Sequence, residues 1–228
     1  MKKITRRDLV FLALFGVAAL IAAQINFSQI LGAENQAFTL FQFFGPTAAA
    51  FLGPVLGIGA ILSAEIANFA LLGKSVTFIN IARLFPMLFA AYYFAKGRNL
   101  LGIGLPLLCM AAFMFHPIGG QAWLYSLYWL IPVAAAYLPN RLFLRSLGAT
   151  FTAHAIGSTL WLYTFETTPA FWMMLIPIVA FERLMFASGI TVSYVAMNTV
   201  LAKLETRFNM RSINIDPRYI IQSRIVSG

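Results

Sequence analysis

Charge is scarce in this chain. Of 228 residues only seven are acidic and sixteen are Lys or Arg, a charged content of 10%, while 61% are hydrophobic. Soluble domains carry about 25% charged residues and cover themselves with polar groups, so this shortage excludes a soluble globular fold and leaves an integral membrane protein. Cysteine is scarcer still: the single Cys109 excludes an internal disulfide framework. A phosphate-binding loop is also lacking. The stretch Gly53-Pro54-x-x-Gly57-x-Gly59 has no Lys-Ser/Thr after it and reads as a tight turn between helices, so the chain carries no ATPase loop of its own.

The net charge of +9 does not read as a nucleic-acid signature, because the basic residues collect at the chain ends and in short loops, where Lys and Arg set membrane orientation. The opening Met-Lys-Lys-Ile-Thr-Arg-Arg precedes an apolar segment with no small-residue cleavage site leading to a polar domain, and it reads as the flank of a retained first helix.

Apolar stretches near the roughly 20 residues needed to cross a bilayer fall at Leu9–Phe27, Val55–Leu72, Thr77–Ala95, Leu101–Phe115, Trp123–Leu138, Leu142–Phe165 and Phe171–Leu201, with a short helix at Phe41–Leu52. The expected fold is all-α: a polytopic transmembrane helix bundle of about eight spans, counting the short second one. With the N-terminus inside, Lys96, Arg98, Arg141, Arg145 and the tail fall in the cytoplasm, and the external loops keep only Lys74. An even count places both termini in the cytoplasm. Residues 1–203 form the membrane domain and 204–228 a basic cytoplasmic tail lying near anionic headgroups.

Glu65, Arg83, His154, Glu182 and Arg183 lie inside these apolar stretches. A charged group in hydrocarbon costs roughly 2.5–3.5 kcal/mol on insertion scales, so it faces a partner or a cavity and marks function. On this topology those five and His116 share a depth between the midplane and the outer surface, which implies an externally facing polar cavity. Helical spacing adds Asn68 to the face of Glu65, Asn80 to that of Arg83, and aligns Thr150, His154, Ser158 and Trp161 in one stripe. Carboxylate, guanidinium, imidazole, amide and hydroxyl groups within apolar walls suit a small polar solute. The competing reading makes Glu65–Arg83 or Arg83–Glu182 ion pairs between helices. His154 alone reads as a helix-to-helix hydrogen-bonder more than a metal ligand. The tryptophans form an interfacial belt, with Trp161 placed to stack on a ring-containing ligand. Nothing in the pattern calls for a cofactor.

Ala18-x-x-x-Ala22 and Ala19-x-x-x-Ala23 in the first helix let another helix approach closely. With the polar segment Ser28–Thr39, the run Phe44-Gly45-Pro46 through Leu52-Gly53-Pro54-Val55-Leu56-Gly57-Ile58-Gly59, and Ser63-Ala64-Glu65-Ile66-Ala67-Asn68, these residues give the first ninety-five positions their character. They resemble the substrate-binding S components of energy-coupling factor vitamin transporters. The resemblance implies that Ala18, Ala19, Ala22 and Ala23 meet a transmembrane coupling subunit, that ATPases supply energy, and that Glu34 to Phe38 form a lid over an outward-facing site. Eight spans exceed that family's usual six. Its cobalt and nickel members carry Met-His at the N-terminus, where this chain has Met1-Lys2.

The leading expectation is therefore a non-enzymatic uptake protein that binds a small polar or aromatic, vitamin-like solute through Glu65, Asn68, Arg83, His154, Ser158, Trp161, Glu182 and Arg183. If an ion gradient drives uptake, Glu65 and Glu182 are the proton-carrier candidates. The alternatives are an intramembrane enzyme acting on lipid or peptide through His154 with Ser158 or Ser188, and a structural membrane subunit.

Overall fold

Prolines and glycines set the element boundaries of this nearly all-α molecule. The computed structural model describes residues 6–31, 37–208 and 213–221; the basic opening at 1–5, Glu34–Gln36 of the expected lid, and Arg211 and Arg224 of the tail lie outside the described residues. Helix α1 (Arg6–Ala22) is followed by a hairpin of β1 (Asn26–Gln29) and β2 (Ala37–Thr39), paired antiparallel with Ser28 opposite Phe38. Two 3₁₀ turns (Leu40–Phe43 and Gly45–Thr47) and the five-residue α2 (Ala48–Leu52) occupy the stretch expected to be a short helix. At Gly53 the backbone takes φ +83°, a conformation open to glycine but strained for other residues. Pro54, with its pre-set φ, then starts α3 (Pro54–Leu71). An added Cβ at Gly57 would collide with the Ala49 backbone, so a glycine is what lets α3 lie directly on α2.

The apolar stretch after Lys74 is two helices, not one. Pro86 has no N–H to give the Ala82 carbonyl, and the chain breaks between α4 (Phe78–Ala82) and α5 (Phe85–Lys96), leaving Arg83 at the break. Beyond α6 (Leu100–Phe115) come the short α7 (Pro117–Gln121) and α8 (Trp123–Ser126), then a 3₁₀ turn leading to α9 (Leu130–Tyr137), where Pro132 acts as Pro86 does. Helix α10 (Leu142–Thr164) is the centre of the molecule, packed against α5, α6, α9 and α11. Gly148 makes room on it for Tyr93, whose hydroxyl donates to the Pro132 carbonyl at 2.6 Å. The last helix, α11 (Pro169–Phe208), has 40 residues. At 1.5 Å per residue it is about 60 Å long, twice the thickness of a hydrocarbon core.

Among the described residues three helical stretches are long and apolar enough to cross a membrane: Pro54–Leu71, Phe78–Lys96 (α4 and α5 taken together) and Pro169–Glu205; Asp8–Ala22 and Leu100–Phe115 are apolar but shorter. The outer surface carries large apolar side chains such as Leu100, Phe115 and Val55, exposed at 91%, 88% and 84%. Water would not tolerate a belt of this kind, and a bilayer covers it. This is the makeup of a membrane protein.

Inside, two apolar clusters form. One joins α1, α2, α3, α5 and the later part of α11 around Phe11, Phe15, Phe51, Phe94 and Tyr194. The other joins α6, α8, α10 and the start of α11 around Phe113, Tyr125, Trp129 and Trp172. On α1, Phe11, Phe15, Ala19 and Ala22 recur every three or four residues and are buried together. Ala19 and Ala22, two of the four alanines expected to meet a partner, thus pack against the chain's own core; Ala23 is half-buried and Ala18 exposed.

The expected tail also has structure. Its residues 213–221 return to the bundle: the Asn214 N–H donates to the Phe51 carbonyl at 2.8 Å, Asn198 and Asp216 exchange two hydrogen bonds, and Ile213 is buried. Arg218 donates to the Asp216 carboxylate at 2.7 Å, and this bond holds the Asp216 pKa below the usual carboxylate range.

Candidate functional site

One cavity of about 230 Å³ gathers all eight residues that the sequence pointed to: Glu65, Asn68, Arg83, His154, Ser158, Trp161, Glu182 and Arg183. It lies between α3, the α4–α5 break, α8, α10, α11 and the β-hairpin, which adds Gln29, Phe38 and Thr39. Asn80 lines it as well. His116 and Thr150 do not: His116 accepts the Ile118 N–H and sits against the Tyr163 ring, while Thr150 receives Arg183 from behind.

The wall made by α11 and the hairpin pairs its charges within the protein. Ser28 donates to Glu182 Oε1 at 2.6 Å, and Arg183 meets Glu182 Oε2 at 3.5 Å. The Arg183 guanidinium lies 4.7 Å from the centres of both the Phe38 and Phe186 rings and reaches Thr150 Oγ1 at 3.5 Å. These contacts compensate a cation that is only 2% exposed, although its Nε has no partner. Opposite-sign charges beside each other in low dielectric need such extra bonds to offset desolvation.

The wall made by α3 and the α4–α5 break differs. Among the described residues, Glu65, Arg83 and Lys74 make no side-chain hydrogen bond or ion pair, so the expected Glu65–Arg83 and Arg83–Glu182 pairs are absent there, and all three residues line the cavity. Lys74 is an exposed loop residue at the end of α3; crowding of its ammonium by protein and then the Arg83 charge lower its pKa, with Glu65 opposing. Asn68 is anchored by Gln24 Nε2, which donates to its Oδ1 at 2.7 Å.

His154 stands on the central helix with both ring nitrogens occupied. Trp129 Nε1–H can only donate, and it points at His154 Nδ1 over 3.1 Å. Nδ1 is therefore the acceptor, the imidazole is neutral, and its proton sits on Nε2. Nε2–H then donates to Tyr125 Oη at 2.8 Å, and the Tyr125 hydroxyl donates onward to Ser158 Oγ at 3.1 Å. The chain runs Trp129, His154, Tyr125, Ser158 and ends with the Ser158 hydroxyl hydrogen at the cavity. His154 orients this relay and has no nitrogen left for a serine. Ser188 is spent on the Leu184 carbonyl at 2.9 Å and is not part of the cavity lining.

Aromatic side chains complete the enclosure. Trp161 stands 4.2 Å from Phe165, centre to centre, and Trp172 packs edge-on against Tyr125 and Phe171. Sequence reasoning placed Trp161 here by its spacing from His154. It missed Tyr125 on α8 and Trp129 in the 3₁₀ turn after it, which no periodicity links to α10, and it missed Lys74. Among the described residues no group of three or more His, Cys, Asp or Glu side chains could hold a metal ion. No known family model, curated protein or solved structure matches this chain.

Proposed function

We propose that this chain is a multi-pass membrane transport protein of about eight spans, with cytoplasmic termini, that captures a small polar or aromatic, vitamin-like solute from the external side for uptake. The observation that carries this reading is the single cavity in which the eight polar and aromatic residues converge, with Glu65, Arg83 and Lys74 lacking protein partners among the described residues. For the partly buried Glu65 and Arg83, charges without a partner are costly to the fold alone and are accounted for by a solute that pairs with them.

Orientation is supported by the charge distribution. Lys74 lies at the cavity, while Arg145 stacks over Phe94 and Tyr194 at the opposite ends of α5, α10 and α11, where Lys96 and Lys203 also fall. A Lys74→Cys variant is then labelled by a membrane-impermeant maleimide added to intact cells, against a low background from buried Cys109. Energy comes from partner ATPases through a transmembrane coupling subunit, in line with the likeness to S components; of the four alanines named for such a partner on α1, Ala18 is the exposed one. Hydrolysis is the weaker reading, because His154 has both nitrogens committed to Tyr125 and Trp129.

The test is mass spectrometry of what the purified protein releases on denaturation. A water-soluble compound at near-stoichiometric amount supports capture. A lipid alone, with no soluble compound binding on re-addition, contradicts it.

A further inference from the structure

Among the described residues the charges at the cavity do not balance, and the imbalance describes the solute. Three cations, Lys74, Arg83 and Arg183, line it with two carboxylates, Glu65 and Glu182. Glu182 is already taken by Arg183 and Ser28. What remains unpaired among the described residues is Lys74, Arg83 and Glu65, two positive groups against one negative. An occupant with one negative charge neutralises that remainder, whereas a cationic one adds to it. Two neighbouring cations without hydrogen-bond partners also repel each other, and an anion shared between them removes the repulsion. A planar carboxylate accepts two parallel N–H bonds from a guanidinium, which a spherical anion does not.

The walls say what else the anion carries. Phe69, Trp161, Phe171 and Trp172 line the same space, and the Trp161 indole N–H has no hydrogen-bond partner among the described residues. Aromatic faces favour planar rings by stacking, at modest separation and without strict orientation. A cavity of about 150 Å³ already admits benzene; at about 230 Å³ this one has space for a ring and its substituents. The Ser158 hydroxyl hydrogen, freed by the relay from Trp129, supplies a donor for an acceptor on that ring, and Glu65 takes an N–H or O–H.

Resting on the capture reading above, we infer that the solute is a ring-bearing carboxylate, its acid group held by Arg83 and Lys74 and its ring lodged between Trp161 and Phe171. The class is set by the unpaired cations at an aromatic cavity, and it holds whichever ring is present.

The experiment uses the full-length protein in lipid nanodiscs and three probes that share one ring: indole-3-acetate, indole-3-acetamide and tryptamine, measured by equilibrium dialysis. The acid binds about tenfold more tightly than the amide and the amine, since charge-assisted hydrogen bonds exceed neutral ones by about that factor. The preference falls below about threefold in Arg83→Gln and in Lys74→Gln, and Arg83→Lys restores part of it. Should Arg83→Gln not accumulate, Lys74→Gln, at an exposed loop position, carries the test. Tighter binding of the amide or the amine overturns the inference. Where none of the probes binds, the molecule released from the purified protein decides: a carboxylate supports the inference, and a neutral or cationic compound overturns it while solute capture stands. With neither a bound probe nor a released solute, both readings fall.

Discussion

Two walls of one cavity treat their charges in opposite ways. On the α11 side, Glu182 and Arg183 are bonded to each other and to Ser28 and Thr150, and two phenylalanine rings flank the guanidinium. On the α3–α4 side, Glu65, Lys74 and Arg83 find no such bonds among the described residues. The first wall spends its charges on holding the β-hairpin to the bundle; the second, on the proposed reading, keeps them for a solute. Charge inside a membrane protein is then not one signal: the same residue types are structural where partners converge and, on that reading, serve a ligand where they do not.

Substitutions break this contrast in a definite order. Arg183→Met removes the partner of a nearly buried carboxylate, and thermal or denaturant unfolding in detergent should show a loss of about 3–5 kcal/mol. Trp129→Phe leaves His154 Nδ1 without its donor, at a cost of about 1–3 kcal/mol in the same assay, and turns the relay so that Ser158 no longer presents a fixed hydrogen. Arg83→Gln sits last for stability, within about 0.5 kcal/mol of the parent as expected for a group whose loss orphans no partner among the described residues, yet on the proposed reading it removes solute binding. An Arg83 variant that unfolds as readily as the Arg183 variant would erase the distinction between the walls.

Much of this was legible in the chain, for reasons that differ by residue. Polar groups are so rare in these apolar helices that Glu65, Arg83, His154 and Glu182 announced themselves, although the shared depth that grouped them also took in His116, which does not line the cavity. Gly53-Pro54 showed the turn because a positive φ and a pre-set helix start need those two residues. The break at Arg83 was hidden within an apolar run, although Pro86 three residues later was its signal. Ala19 and Ala22 were expected on an outer face, yet their spacing from Phe11 and Phe15 marks them as the inner one. Tyr125 and Trp129 could not be assigned to His154, since a contact across 25 to 29 residues leaves no trace in local periodicity. The β-hairpin rests on backbone hydrogen bonds, which any sequence can make, and the docking of residues 213–221 rests on the Asn198 side-chain amide meeting the Asp216 backbone, a contact 18 residues apart that local periodicity does not show.

The central claim is that the charges on the α3–α4 wall serve a solute and not the fold. An experimental structure of the protein purified without exhaustive washing tests it directly. It should show non-protein density in the cavity within hydrogen-bond distance of Arg83 and Lys74, with Glu65 still apart from both. A cavity collapsed onto a direct Glu65–Arg83 ion pair, with no room for another molecule, would contradict the account.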